Sequence, residues 1–129
     1  SLELGSLAGE GSVRLGSGTL TTGGDDSSTT FAGVISGSGG LVKTGSGIFT
    51  LSGVNTFTGL TTVSAGTLAI GAGAALAGGA SNAATLTNAG TIAGAVSNTG
   101  SLTNTGTIGG LVTNGGTLVS TGTLGGGLV

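Results

Sequence analysis

The sequence contains no Cys, His, Met, Pro, Trp or Tyr, and Lys and Arg together occur only twice in 129 residues. The lack of Cys excludes disulfides and cysteine-based metal sites. Without His, Cys or Tyr, the chain also lacks the most frequent general bases and nucleophile partners, so its many serines cannot join a Ser-His-Asp arrangement. We therefore expect no catalytic, cofactor-binding or metal-binding residues, and we expect that the chain is not an enzyme.

Charge is equally scarce, since Arg14 and Lys43 are the only cations and the formal net charge is −2. A nucleic-acid partner is therefore not expected, because such proteins carry a basic surface. The most apolar stretch, Leu68 to Ala80, is mostly Ala and Gly and is shorter than the roughly 18 residues of a membrane span. Direct membrane insertion is not expected either.

The start at Ser1, without Met or a signal-peptide pattern, suggests a fragment of a longer protein.

Glycine is abundant instead, with 32 residues, and such a composition indicates disorder unless the sequence has a period. A period is present in residues 74–129. The triplet Gly-(Thr/Ser)-(Leu/Ile) begins at Gly90, Gly100, Gly106, Gly116 and Gly122, with spacings of 10 and 6 in alternation. The repeat is therefore 16 residues long, and a repeat this regular predicts a folded solenoid.

Large apolar residues recur at three positions of this repeat, counted from Gly90 as position 1. The predicted core columns are Leu76/Ile92/Ile108/Leu124 at position 3, Ala80/Val96/Val112/Leu128 at position 7 and Leu86/Leu102/Leu118 at position 13. Alternation within strands places positions 1, 3, 5, 7, 11 and 13 inside. About 16 residues give a perimeter of roughly 50 Å, which leaves room for only a few large side chains and no ligand channel.

Short alternating segments rich in Thr predict strands rather than helices. They are Thr85-Leu86-Thr87, Ser101-Leu102-Thr103 and Thr117-Leu118-Val119. We predict an all-β fold in which equivalent strands of successive coils pair in parallel. Asn columns (Asn82/Asn98/Asn114 and Asn88/Asn104) are expected at the turns, where stacked amides form hydrogen-bonded ladders along the axis.

Residues 1–73 have similar chemistry without a fixed period. Strand patterns occur at Leu2-Glu3-Leu4, Val13-Arg14-Leu15, Leu41-Val42-Lys43 and Phe49-Thr50-Leu51, separated by turn-rich segments at 23–28 and 37–40. We predict about four irregular coils here and roughly eight in the whole chain, which forms one continuous solenoid over 1–129.

The stretch FAGVISGSGGLVKTGSGIFTLSGVNTFTGLTTVSAGTL, residues 31–68, closely resembles the autotransporter-associated β-strand repeat, and residues 4–24 resemble what commonly precedes it. This repeat occurs in passenger domains of bacterial autotransporters (type V secretion). The resemblance implies a right-handed parallel β-helix, export across the outer membrane, and display at or release from the cell surface.

Three local features suggest chemistry, and each has a simpler interpretation. Lys43 could serve a Ser-Lys dyad, but a solvated strand residue is the favoured reading. Asp25-Asp26 could hold Ca²⁺ weakly, but adjacent Asp residues are ordinary in turns. The glycines from Gly37 to Gly40 lack the spacing and the following helix of a phosphate-binding loop.

The favoured function is a non-catalytic stalk or scaffold of a bacterial cell-surface or secreted passenger. The alternative is an adhesion or self-associating, filament-forming module, whose partner is another copy stacked end to end or a ligand on a host or neighbouring cell. A minor alternative is an ice-binding solenoid, since hydroxyl columns (Thr85/Ser101/Thr117, Thr87/Thr103 and Thr91/Thr107/Thr123) line the strand faces.

Overall fold

The computed structural model describes residues 2–129, and within them it contains β-strands and no helix. Thr, Val, Ile and Leu favour these strands, and Gly, Ser and Asp occupy most of the corners between them. The strands are β1 (Leu2–Leu4), β2 (Ser12–Arg14), β3 (Leu20–Thr22), β4 (Thr29–Phe31), β5 (Val34–Ser36), β6 (Leu41–Lys43), β7 (Ile48–Leu51), β8 (Val54–Asn55), β9 (Thr61–Val63), β10 (Thr67–Ile70), β11 (Ala75–Leu76), β12 (Ala80–Asn82), β13 (Thr85–Asn88), β14 (Thr91–Ile92), β15 (Val96–Asn98), β16 (Ser101–Asn104), β17 (Thr107–Ile108), β18 (Val112–Asn114), β19 (Thr117–Ser120) and β20 (Thr123–Leu124).

The strands form a β-solenoid with three faces. Face 1 has the order β1-β3-β6-β9-β12-β15-β18, face 2 the order β4-β7-β10-β13-β16-β19, and face 3 the order β8-β11-β14-β17-β20. A separate pair, β2-β5, continues face 3 towards the N-terminus, because the N–H groups of Thr56 and Phe57 after β8 donate to Ile35 O in β5 at 3.0 and 3.1 Å. All strand pairs are parallel, as predicted.

Each turn of the chain around the axis, here called a coil, contributes one strand to each face, except that the first coil has only the isolated bridge between Gly9 and Phe31 on face 2. Face 1 contains seven strands, so the described residues form seven coils, and a bridge between Val112 and Leu128 begins an eighth. The strand patterns expected at Leu2–Leu4, Leu41–Lys43 and Phe49–Leu51 fall in strands. The pattern expected at Val13-Arg14-Leu15 falls in β2 except for Leu15, which follows its end. The prediction of an all-β solenoid of stacked parallel coils is confirmed.

The three predicted core columns are in register. Leu76, Ile92, Ile108 and Leu124 pair in sequence on face 3, and Leu86, Leu102 and Leu118 pair on face 2. Ala80, Val96 and Val112 are successive partners on face 1, with Leu128 beside Val112. All of them are buried except Leu118, Leu124 and Leu128, which belong to the last coils.

The coils of the N-terminal half are longer because their corners contain more residues. The corner after β8 has five residues, against three after β11, β14 and β17, and the corner after β10 has four, against two after β13, β16 and β19. The corner between face 1 and face 2 varies most. It contains six residues after β3, four after β6, three after β9 and two after β12, β15 and β18. Corners on a solenoid surface tolerate added residues because the paired strands on either side keep their positions. The irregular coils are therefore the same solenoid with wider corners.

Candidate functional site

A column of inward-pointing side chains follows this corner along the axis at the last residue of each face 1 strand. We call it the corner column; its members are Leu4, Thr22, Lys43, Val63, Asn82, Asn98 and Asn114. Asn82 Nδ2 donates to Asn98 Oδ1 at 2.8 Å, and Asn98 Nδ2 donates to Asn114 Oδ1 at 2.8 Å. The predicted amide ladder is present here.

The ladder amides also bind the backbone of two coils at once. Asn98 Nδ2 lies 3.2 Å from Gly100 O in its own coil and 2.9 Å from Thr117 O in the next. Asn82 Nδ2 makes the equivalent contacts with Ala84 O at 3.4 Å and Ser101 O at 2.8 Å. Gly100 O and Ala84 O also accept from the backbone N–H groups of Thr117 and Ser101 in the following coil. The ladder therefore adds a side-chain donor at each corner and further fastens that corner to the one after it.

A second ladder occupies the end of the face 2 strands. Asn88 Nδ2 donates to Asn104 Oδ1 at 2.9 Å and to Thr107 O at 3.0 Å. Asn104 Nδ2 continues to Ser120 Oγ at 3.3 Å and to Thr123 O at 3.2 Å. Ser120, which interrupts the Asn column in the sequence, thus keeps the ladder by supplying a hydroxyl oxygen.

The Asn side chains lie inside the solenoid, and our set of inward positions was wrong to omit positions 9 and 15. Asn82, Asn88, Asn98 and Asn104 are all buried. Strand alternation already contained this signal, because Asn98 is two residues after Val96 and Asn104 two after Leu102. Burial of an amide is tolerated here because the neighbouring coils satisfy its hydrogen bonds.

The ladders begin abruptly where the irregular coils end. The register partner of Asn82 in the preceding coil is Val63, and that of Asn88 is Ile70. Asn88 Oδ1 is buried, and no group in residues 2–129 donates to it. The first amide of this ladder therefore keeps one oxygen unsatisfied against an apolar neighbour.

Lys43 is not the solvated strand residue that we expected. Its side chain is 0% exposed, because it follows Leu41 by two residues in β6 and so points to the same inner side. The Nζ donates to Thr44 O and, at 3.1 Å, to Gly45 O. The described backbone donors leave both oxygens free, so the ammonium is their hydrogen-bond partner.

Lys43 thus has the role in its coil that the Asn residues have in the later coils. Gly45 is two residues after Lys43, as Gly100 is two residues after Asn98, and each carbonyl accepts from the corner-column side chain. The longer side chain suits a corner of four residues in place of two. Gly66, with φ 65°, completes the enclosure, since a Cβ there would lie 2.8 Å from Nζ.

Burial lowers the pKa of the Lys43 ammonium from its ordinary value, and the negative charge of Asp26 opposes part of this shift. The group is enclosed in the core and faces backbone carbonyls, with no described hydrogen bond to a serine. A Ser-Lys dyad therefore finds no support in this geometry.

The acidic corner at Asp25-Asp26 uses its carboxylates to order the turn. Asp25 Oδ1 accepts from Ser27 N at 3.0 Å and from Ser27 Oγ at 2.6 Å, and these bonds lower the pKa of Asp25. Asp26, with φ 63°, accepts from Ser46 N at 2.8 Å in the next coil. Among the described residues, no group of three or more His, Cys, Asp or Glu side chains lies close enough to hold a metal ion.

Hydroxyl groups line the outer side of face 2 in register. Thr67, Thr85, Ser101 and Thr117 form one column, which Ile48 precedes. The neighbouring column runs Thr30, Thr50, Ala69, Thr87, Thr103 and Val119, so it is interrupted twice. On face 3, Thr91, Thr107 and Thr123 also align.

The comparison with protein families gives a match at the centre of the chain. Residues 41–70 match the model of the passenger-associated-transport-repeat. These residues carry a passenger repeat. They cover β6 to β10, including Lys43 and its corner, and overlap most of the stretch 31–68 that resembled an autotransporter repeat. The predicted resemblance is confirmed over this segment.

No curated protein and no solved structure matched the chain. Within residues 2–129, no helical segment has the length and apolarity needed to cross a bilayer. The passenger repeat and the solenoid itself are therefore the two observations that bear on function.

Proposed function

We propose that this chain is a non-catalytic structural stalk of an extracellular passenger of the autotransporter type, displayed on a bacterial surface or released from it. The observation that carries the proposal is a filled core beneath three continuous faces. Every coil from the second to the sixth buries large aliphatic or aromatic side chains, and from the fifth coil onwards the ladder amides occupy the positions between them.

Such a stack suits a spacer because the hydrogen bonds that hold the coils together run along the axis. Backbone hydrogen bonds and amide ladders both run from coil to coil, and each coil adds about 4.8 Å of length. The passenger repeat at 41–70 supports the extracellular location. A structural rather than catalytic role also fits the scattered charges, since Lys43, Asp25 and Asp26 are each engaged in holding a corner.

Deletion of residues 90–105 tests the stalk role, because it removes one complete coil. Ala89 would then be followed by Gly106, and Leu76 would pair with Ile108 in the column that Ile92 occupies. We expect a folded protein, shorter by about 4.8 Å in small-angle scattering, that still presents an attached reporter domain at the cell surface.

Deletion of residues 90–97 is the matched control. It removes half a coil and shifts Leu102 and Ile108 out of their columns, so it should abolish cooperative unfolding. If the full-coil deletion kept the fold and shortened the protein by one coil but eliminated the binding of the passenger to a surface or ligand, the stalk proposal would be contradicted and an adhesive role supported.

A second candidate is association through the ends of the solenoid. Leu128 is 53% exposed at one end, and at the other an open cavity of about 190 Å³ is lined by Leu2, Val13 and Leu15 among others. Unpaired strand edges at both ends would assist such stacking.

End association predicts light-scattering particles that grow with protein concentration, and Leu128→Lys should suppress this growth. Leu60→Lys is the matched control, because Leu60 is 54% exposed but lies between the third and fourth coils, away from either end. A monomer that persists at high concentration in all three proteins would rule out the second candidate.

A further inference from the structure

Two main-chain carbonyls at the corner after β6 have a cation as their hydrogen-bond donor. Thr44 O and Gly45 O both accept from Lys43 Nζ, and no backbone N–H group in residues 2–129 donates to either of them. In the later coils, the equivalent carbonyl Gly100 O accepts from the neutral amide of Asn98 and also from the backbone of the next coil. The corner of the third coil therefore relies on the ammonium group, whereas the later corners do not rely on their amides alone.

Glycines of the neighbouring coils enclose the ammonium with bare backbone. A Cβ on Gly23, in the coil before, would overlap Thr44 O and lie 3.1 Å from Lys43 Nζ. A Cβ on Gly66, in the coil after, would lie 2.8 Å from Nζ. Gly23 also has φ 107°, a left-handed conformation that favours glycine. The space around Nζ is thus fitted to a small head group, and the Lys43 side chain fills it with no exposure to solvent.

The charge and the polar groups at this corner also suit a cation. A Cβ on Gly45 would lie 2.9 Å from Asp26 Oδ1, so the carboxylate of Asp26 lies beside the corner, and its charge opposes the lowering of the Lys43 pKa by burial. Thr22 is the register partner of Lys43 in the coil before; it is fully buried, and within residues 2–129 its hydroxyl oxygen has no hydrogen-bond partner. An ammonium group has three protons, and the two carbonyls take two of them. The column therefore contains a spare acceptor next to a group with a spare donor.

We propose that this corner is a binding site for a primary ammonium group, built from the main-chain carbonyls of Thr44 and Gly45, and that Lys43 is the ligand with which the chain fills it. The carbonyls require N–H donors, the glycine enclosure admits only a small head group, and Asp26 favours a positive charge. The site does not depend on the stalk role proposed above. It should persist without the lysine side chain and then take up a free alkylammonium ion.

The test titrates Lys43→Ala with n-propylammonium chloride. Alanine keeps the Cβ of Lys43, and n-propylammonium has the same carbons and nitrogen as the part of the side chain that the substitution removes. Denaturant unfolding is followed by circular dichroism at each ligand concentration. A ligand that binds only the folded protein raises the folded-to-unfolded ratio about tenfold for each tenfold rise in its concentration above Kd. We expect this rise for Lys43→Ala, together with ¹⁵N NMR shift changes at Thr44, Gly45 and Gly66.

Three controls separate an ammonium site from a simple void. Lys43→Met fills the space with its own side chain, so n-propylammonium should have no more effect on it than potassium chloride at the same ionic strength. 1-Propanol has the same carbon chain without the charge, and it should not restore Lys43→Ala. An equal effect of 1-propanol, an equal effect of potassium chloride, or no rise with n-propylammonium would each overturn the proposal.

The unsubstituted protein gives a second measurement that does not require a variant to fold. Lys43 is the only lysine in the sequence, so its Nζ gives a single side-chain ammonium signal in ¹⁵N NMR. At neutral pH we expect a nitrogen with three protons whose exchange with water is slowed about tenfold or more relative to the denatured chain. A neutral amine, or exchange as fast as in the denatured chain, would overturn the proposal. If Lys43→Ala is unfolded in buffer, n-propylammonium should restore its β-sheet signal, and failure to do so counts against the site.

Discussion

Asn98→Ala should lower the free energy of unfolding by about 1–3 kcal/mol, measured by denaturant titration followed by circular dichroism. The substitution removes the acceptor of Asn82 Nδ2 and the donor to Asn114 Oδ1, Thr117 O and Gly100 O. Asn82 is buried with Asn98, and the bonds to the other three groups are partly buried, so water cannot fully replace the lost partner. We expect a value towards the upper end of the range, because two neighbouring coils lose bonds together.

Thr99→Ala, one residue further along, provides the control. Thr99 is exposed, and its hydroxyl lies 3.4 Å from Asn82 O, which already accepts from the backbone. We expect an effect within about 0.5 kcal/mol of zero. Similar small losses at both positions would show that the amide ladder does not stabilise the fold.

Lys43→Ala should destabilise the protein by about 2 kcal/mol or more. Thr44 O and Gly45 O would lose their described hydrogen-bond donor, and a fully buried side chain would leave a void between the corners of three coils. Lys43→Met separates the two causes, because methionine fills most of the void but donates no hydrogen bond. If Lys43→Ala and Lys43→Met lower the stability equally, the lost hydrogen bonds to the two carbonyls are the main cause. If Lys43→Ala leaves the stability unchanged, the buried role of Lys43 is contradicted.

The pH dependence gives a second measurement on Lys43. The pKa of Lys43 is lowered in the folded protein. Between this lowered pKa and the unfolded value near 10.5, the unfolded chain therefore binds more protons than the folded chain. Stability rises with pH wherever this holds. We therefore expect a gain in unfolding free energy at alkaline pH that is absent in Lys43→Met. If the unfolding free energy instead fell over this pH range, and Lys43→Met removed the fall, the direction of the pKa shift would be contradicted.

The sequence was most informative where the coils are identical in length. In residues 74–129, a 16-residue spacing aligns Leu76 with Ile92 and Leu86 with Leu102, and the pairing of the strands follows that alignment. An apolar residue that recurs at one position of the repeat indicates an inward-pointing side chain, because only the interior of a narrow solenoid requires apolar residues. The all-β fold, these columns and the Asn ladders were accordingly predictable.

Lys43 was misplaced even though the strand pattern contained the answer. Alternation from Leu41 puts Lys43 inside, but a single charge in a chain with few charges was assigned to solvent, because buried lysines are rare. For the same reason we did not place Asn98 and Asn104 in the predicted interior, since polar side chains usually lie outside. In both cases burial depends on partners in other coils, which a strand pattern does not describe.

The sequence by itself thus determined the strand chemistry, the 16-residue repeat and the passenger resemblance, because each depends on residues that recur at fixed spacings. Only the tertiary structure decided that Thr22, Lys43, Val63 and Asn82 form one column, since they are 21, 20 and 19 residues apart. The corner that follows these residues shortens from six residues to two, and the corners after β8 and β10 are also longer than the equivalent later ones. Parallel hydrogen bonding keeps the strands level despite these differences. Register in such a stack is set by backbone pairing and core packing, and corners of variable length prevent any fixed sequence period from revealing it.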